Sequence, residues 1–176
     1  MRTNLLLISL FLVCGSMPGA YAADPCTGFK WDIAKERALF GGPAAAVTAG
    51  RSISSAPEVK TNRLYQLTLA PQADVVFASK PGKAAKFEPA YAGLASLRLP
   101  APGNYRIAVD VPFWIDVVAD GKLANVTDFQ GQHDCDAPHK IVEFELRDAR
   151  QFVLQLSGSE KSIVRLTVTP ATASTP

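Results

Sequence analysis

The residues best suited to chemistry lie in one short segment, residues 131–143. It contains the chain's only two histidines, His133 and His139, with Cys135 between them and Glu143 beyond them. Two imidazoles and one carboxylate are the ligand set of a non-haem iron centre that keeps positions open for substrate and oxygen. His133, His139 and Glu143 are therefore the candidate metal ligands, with iron as the candidate cofactor.

Cys135 has a competing use as one half of a disulfide. Residues 1–22 have the pattern of a secretory signal, with Arg2, an apolar run at 5–13 and the small-residue motif Ala20-Tyr21-Ala22. Cleavage after Ala22 leaves two cysteines, Cys26 and Cys135, which should pair in an oxidising compartment. The alternative is a pair of free buried thiols. A paired Cys135 cannot bind zinc, because only the thiolate is a ligand.

Nucleophilic catalysis has little support in the sequence. There is no Gly-X-Ser-X-Gly elbow, and the run Ser157-Gly158-Ser159 is explained by a turn at the end of a strand. His133 and Asp134 resemble two parts of a triad, but adjacent residues of an extended loop point in different directions. We therefore predict no catalytic residue and favour a protein that is not an enzyme.

Trp114 is the candidate ligand-binding residue. The run Pro112-Phe113-Trp114-Ile115 places bulky side chains on both faces of one strand. If the second face is open to solvent, Trp114 would stack on a sugar ring or anchor a protein partner. The alternative is a central strand covered on both sides, with the segment 31–40 as a candidate cover.

The elements that must position these residues are predicted to be strands. Apolar and polar residues alternate in short runs separated by Gly and Pro turns, a pattern typical of an antiparallel β-sandwich or jelly roll. The predicted strands are 64–69, 75–77 (its first residues), 94–99, 105–109, 113–118, 142–146, 152–156 and 164–168, with a tight turn at Asp120-Gly121 and a polar loop at 127–138. The predicted core residues are Leu67, Tyr105, Ile107, Val117, Phe144, Leu154 and Leu166.

The part before residue 57 is less regular. Asp32 is suited to cap a short helix that runs to Phe40, although an extended edge strand also fits, and residues 44–49 fit a further strand. The predicted organisation is a signal peptide at 1–22 and a single all-β domain at 23–176. Within that domain we expect an N-terminal segment at 23–56, the sandwich at 57–170 and a tail at 171–176.

Two resemblances accompany this pattern. The runs 64–69 (LYQLTL), 74–77 (DVVF) and 102–107 (PGNYRI) resemble the β-sandwich domains appended to secreted bacterial peptidases, the pre-peptidase C-terminal domains. The chain from Phe29-Lys30-Trp31-Asp32 onward also resembles short exported proteobacterial proteins without an established role, some of which carry the label homogentisate 1,2-dioxygenase. That label implies iron, but the enzymes of that name are long cupins with a His-X-His motif and a distant third ligand. Residues 131–143 lack this spacing.

Composition narrows the function classes further. The chain has 18 basic and 16 acidic residues, and loss of the signal removes only Arg2 from these, leaving 17 and 16 in 154 residues. This near balance, without basic clusters, gives no reason to expect nucleic acid as a partner. No apolar run approaches the roughly 20 residues of a membrane span. We therefore predict a periplasmic or secreted β-sandwich with a recognition or structural role in the cell envelope. Its partner would be an unidentified protein or carbohydrate, and it would need no cofactor.

Overall fold

The protein is described by a computed structural model that covers residues 24–135, 137–147 and 151–171. Its one α-helix within these ranges is α1 (Ala34–Phe40), and short 3-10 turns occur at Pro25–Gly28, Ile53–Ser55 and Gln72–Asp74. The strands are β1 (Ala45–Thr48), β2 (Glu58–Lys60), β3 (Leu64–Thr68), β4 (Ala70–Pro71), β5 (Tyr91–Arg98), β6 (Gly103–Val109), β7 (Trp114–Ala119), β8 (Lys122–Leu123), β9 (Val126–Gly131), β10 (Lys140–Leu146), β11 (Phe152–Ser159) and β12 (Ile163–Pro170).

The strands form two sheets that pack face to face, so the predicted all-β sandwich is confirmed. Sheet I has the order β1, β3, β12, β6, β10, β9. Sheet II has the order β2, β5, β11, β7, β8, with β4 paired to β5. Both sheets are mixed rather than purely antiparallel, because the short strands β1 and β2 pair in parallel with β3 and β5.

The main core fills the space between the two sheets. All seven predicted core residues are buried there, at 0–3% exposure. They lie on the inward face because side chains of a strand alternate between its two faces, and the sequence alternates in step. The alternation therefore identified the buried face of β3, β6, β7, β10, β11 and β12.

The N-terminal segment, residues 24–41, covers the outer face of sheet I. The predicted helix is present as α1. The Asp32 carboxylate accepts a hydrogen bond from the Ala34 amide, with 2.9 Å between the two atoms. The apolar side chains of this segment and of the sheet pack together in a second cluster that comprises Phe29, Ile33, Phe40, Leu64, Ala108, Cys135 and Ile141. The predicted Cys26–Cys135 disulfide is present and ties the segment to the connection between β9 and β10.

Three local predictions were wrong. Residues 75–77 form no strand but follow a 3-10 turn, and their one ladder-like bond runs from the Val76 amide to the Arg51 carbonyl. Residues 127–131 of the predicted polar loop belong to the edge strand β9, which lacks clear alternation because little of it is buried on either face. The Ser157-Gly158-Ser159 run continues β11, with Gly158 at φ +69° beside a register shift rather than a terminating turn.

The turn between β7 and β8 was predicted correctly. Asp120 and Gly121 both have positive φ, +46° and +81°, as a tight two-residue hairpin requires. None of the helices in the described ranges is long and apolar enough to cross a membrane. The predicted signal peptide and all but the first residue of the predicted tail lie outside the described residues.

Candidate functional site

The candidate metal ligands do not converge. The rings of His133 and His139 are neighbours, with centroids 5.8 Å apart, and His133 is exposed. Glu143 lies farther along β10, since the strand from Lys140 to Glu143 alone spans roughly 10 Å. Its carboxylate accepts from Arg106 Nε at 3.1 Å on the outer face of sheet I. No group of three or more metal-ligating side chains occurs within 24–135, 137–147 and 151–171.

The other candidate, Trp114, lies on the outer face of sheet II, where β7 and β11 run side by side. The register places residues of the two strands directly opposite each other in three successive pairs on this face. The pairs are Val118 with Val153, Asp116 with Gln155, and Trp114 with Ser157. The face therefore changes along its length from apolar, through polar, to aromatic.

The loop of residues 75–90 lies over this face and is held by matching contacts. Val75 packs at the apolar end, in a small cluster with Val118 and Val153. At the polar pair, the Gly82 amide donates to Asp116 Oδ2 at 3.0 Å, and the Ser79 amide donates to Gln155 Oε1 at 3.3 Å. The loop thus has fixed anchors on the first two pairs.

Gly82 brings the loop backbone very close to Trp114. A Cβ added at this glycine would lie 2.9 Å from Trp114 Nε1 and 3.0 Å from Asp116 Oδ1. The indole Nε1 itself donates to Asp116 Oδ1 at 2.8 Å. One edge of the Trp114 ring is therefore fixed by the loop and by its own strand, and the side chain is half-buried.

Beyond Gly82 the loop leaves the third pair only partly covered, and a cavity of about 420 Å³ opens beside Trp114. This volume lies within the usual range for small-molecule sites. The aromatic side chains that line the cavity are Phe87, Phe113, Trp114 and Phe129. Its charged lining residues are Lys83, Lys86, Lys140 and Glu160, and Ser157 also belongs to the lining.

Two ammonium groups lie over the Trp114 ring. Lys83 Nζ is 5.5 Å and Lys140 Nζ 5.4 Å from the ring centroid, within cation–π range. Lys140 Nζ also donates to the Phe113 carbonyl at 2.9 Å. Burial lowers the pKa of Lys140, and the Lys83 charge lowers it further, while Asp116 acts in the opposite direction.

Ser157 contributes a buried hydroxyl group. The residue is 1% exposed, and its Oγ has no hydrogen-bond partner among the described residues. Directly opposite Trp114 in the register, it lines the cavity. An uncompensated buried hydroxyl is costly, so a ligand atom that bonded to it would recover this energy.

No protein-family model matches the chain, and no curated protein matches it either. The resemblances to pre-peptidase C-terminal domains and to short exported proteobacterial proteins therefore stay predictions.

Sequence reasoning singled out Trp114 but missed the lysines around it. Lys140 had a readable signal, since it is in phase with Val142 and Phe144 and so continues the inward face of β10. A lysine at such a position indicates that this end of the buried face is accessible to solvent or to a ligand. Lys83 and Lys86 had no such signal, because their loop has no periodicity.

Proposed function

We propose that this protein is a non-enzymatic exported recognition module whose cavity beside Trp114 binds a small molecule with an apolar body. The observation that carries the proposal is the aromatic cavity of about 420 Å³. Small-molecule sites combine an apolar lining with a few polar groups that fix orientation, and this lining has both.

Export is supported by the disulfide. The bond joins residues 109 positions apart, and bonds of this kind persist in oxidising compartments such as the periplasm or the cell exterior. A protein secured in this way suits a recognition role in the cell envelope.

The two alternative functions have less support. A neutral sugar would need a free ring face on Trp114, whereas two ammonium groups lie over this ring. An iron-dependent dioxygenase would need His133, His139 and Glu143 on one metal ion, whereas Glu143 is engaged by Arg106.

The proposal is tested with 3-phenylpropanamide, an uncharged probe with one aromatic ring. The chain has two tryptophans, so Trp31→Phe leaves Trp114 as the single fluorescent reporter. Titration of the disulfide-bonded variant should give a saturable change in Trp114 emission, and calorimetry on the unmodified protein should give the same dissociation constant.

Matched variants locate the site. Phe87 and Phe129 are 48% and 64% exposed, so replacing either with Ala should weaken binding of the probe without unfolding the protein. We expect about a twofold to tenfold loss, the size of one aromatic contact. The control is Val76→Ala, which alters an apolar side chain that is 71% exposed and does not line the cavity. Absence of saturable binding of both this amide and its carboxylate analogue 3-phenylpropionate, or equal affinity in all variants, would overturn the proposal.

A further inference from the structure

We propose that the ligand of the Trp114 cavity is a carboxylate with an aromatic or other apolar body, bound through its negative charge by Lys83 and Lys140 and through a hydrogen bond by Ser157. This inference rests on the proposed function and adds the chemical class of the ligand. The apolar body would lie against the aromatic side chains at the cavity wall.

The charge of the cavity favours an anion. Its charged lining comprises three lysines and one glutamate. The ion pairs between described residues include none of these lysines. Besides burial, the Lys83 charge lowers the pKa of Lys140, so the two ammonium groups repel each other, and an anion beside either of them would offset this repulsion.

A cationic ligand fits poorly. Aromatic side chains around a cavity are also the pattern of an ammonium-binding cage. Here, however, the Trp114 ring already has Lys83 and Lys140 at cation–π distance. An added cation would lie against two like charges in a partly desolvated site, which costs free energy.

Ser157 is independent support for a polar group on the ligand. Its hydroxyl is buried and unpaired within the described chain, and the residue belongs to the cavity lining, opposite Trp114 in the register. A carboxylate has two acceptor oxygens, so one can accept from Ser157 while the other meets an ammonium group.

A carboxylate fits this lining better than a phosphate. Phosphate sites typically combine several backbone amides at a helix N-terminus or the bidentate fork of arginine. The cavity is lined by strands and a loop, and none of the arginines that the structure describes belongs to its lining. Two ammonium groups and one hydroxyl are sufficient for a single negative charge.

Three probes of equal size separate the possibilities, namely 3-phenylpropionate, 3-phenylpropanamide and 3-phenylpropylamine. We expect the propionate to bind about tenfold or more tightly than the amide, the size of a charge-assisted hydrogen bond. The propylamine should bind most weakly. Phenyl phosphate is the fourth probe, and its preference over the propionate would overturn the assignment to a carboxylate.

Lysine variants test which charges act. Lys140→Met and Lys83→Met should each reduce the preference for the propionate over the amide, and the double variant should abolish it. Lys83 is exposed, so Lys83→Met keeps the test valid even if Lys140→Met fails to fold. The control is Lys122→Met, which removes the same charge from β8, outside the cavity lining.

Hydroxyl variants test the second contact. Ser157→Ala should lower the affinity for the propionate severalfold. Folding should remain intact, because no hydrogen bond within the described chain is lost. Thr167→Val is the matched control, since Thr167 Oγ1 is equally buried and unpaired but lies on sheet I. Unchanged propionate affinity in Ser157→Ala would remove Ser157 from the site.

The outcomes distinguish the two proposals. If neither the amide nor the propionate binds, the proposed function itself fails. If both bind with equal affinity, the cavity is a ligand site but the carboxylate assignment is wrong. If the preference survives in the double lysine variant, the ligand is a carboxylate but the assignment of Lys83 and Lys140 as the groups that bind it is wrong.

Discussion

The two outer faces of the sandwich are covered in different ways. On sheet I the N-terminal segment packs an apolar cluster against the sheet, and charged groups beneath it are paired, as in Arg106 with Glu143 and Arg165 with Asp110. On sheet II the loop 75–90 is anchored by single hydrogen bonds to Asp116 and Gln155 and leaves a cavity at Trp114.

This difference separates a structural cover from a binding surface. Under the N-terminal segment even the buried Glu36 carboxylate accepts from the Thr169 hydroxyl at 2.5 Å. In the cavity, Lys83, Lys86 and Lys140 form no ion pair within the described residues. A buried hydroxyl without a partner does not distinguish the two faces, since Thr167 has one on sheet I as Ser157 has on sheet II. The lysines at the cavity are therefore available to bind a ligand, whereas the charged groups beneath the N-terminal segment already bind each other.

The largest expected effect comes from removing the bond that fixes the cover of sheet I. Replacing Cys26 and Cys135 together by Ser should lower the free energy of unfolding by about 4 to 5 kcal/mol, because the chain-entropy model assigns this to a loop of roughly 100 residues. Guanidinium unfolding measures it. Below the transition, binding of 3-phenylpropanamide should persist, since the cavity lies on the other sheet. Two free thiols in the native unmodified protein, detected by mass spectrometry, would contradict the disulfide itself.

A change in the core between the two sheets should lower the stability of the whole sandwich, including both of its outer faces. Leu154 is fully buried on β11, the strand that carries Ser157 on its opposite face. Leu154→Ala should cost about 2 to 5 kcal/mol, from lost burial and the cavity left behind. Urea unfolding followed by circular dichroism gives the value, and an unchanged melting curve would mean that this face of β11 is misassigned.

A change at Gly82 should affect sheet II alone. Gly82→Ala forces the loop away from Trp114, since the added Cβ would lie 2.9 Å from the indole nitrogen. We expect a loss of about 1 to 3 kcal/mol together with altered Trp114 emission and weaker probe binding. Gly121→Ala is unsuitable as a control because its φ is positive, whereas Gly41→Ala at the end of α1 is suitable, since its added Cβ would make only ordinary contacts. Unchanged affinity of Gly82→Ala for the probe would mean that the position of the loop does not affect the binding site.

The smallest expected effect concerns the histidines. Replacing His133 and His139 by Ala should change the free energy of unfolding by no more than about 1 kcal/mol, since His133 is exposed and His139 is half-buried. Stoichiometric iron(II) or zinc, added anaerobically, should leave the melting temperature of both proteins unchanged. A large metal-dependent shift that disappears in the double variant would instead support the dioxygenase alternative, because a metal that binds the native state raises its stability.

The sequence by itself determined the class of fold, the inward face of most strands and the cysteine pair. These features depend on short-range alternation and on residue type, so each is readable within a few positions, as in Val164, Leu166 and Val168 of β12. The Asp120-Gly121 turn belongs to the same group, since positive φ is a local property, whereas the segment 32–40 fitted either a helix or an extended edge strand until the structure showed α1.

Only the tertiary structure decided the order of the strands and the cavity. Strand β9 has weak alternation because it is an edge, and the path of residues 75–90 depends on contacts with the distant Asp116 and Gln155. Trp114 had two possible environments in the sequence. In the structure the loop 75–90, and not the segment 31–40, covers one edge of the Trp114 ring and leaves the rest beside the cavity. Lys83 comes from that loop and Lys140 from the other sheet, and no local pattern can bring these residues together.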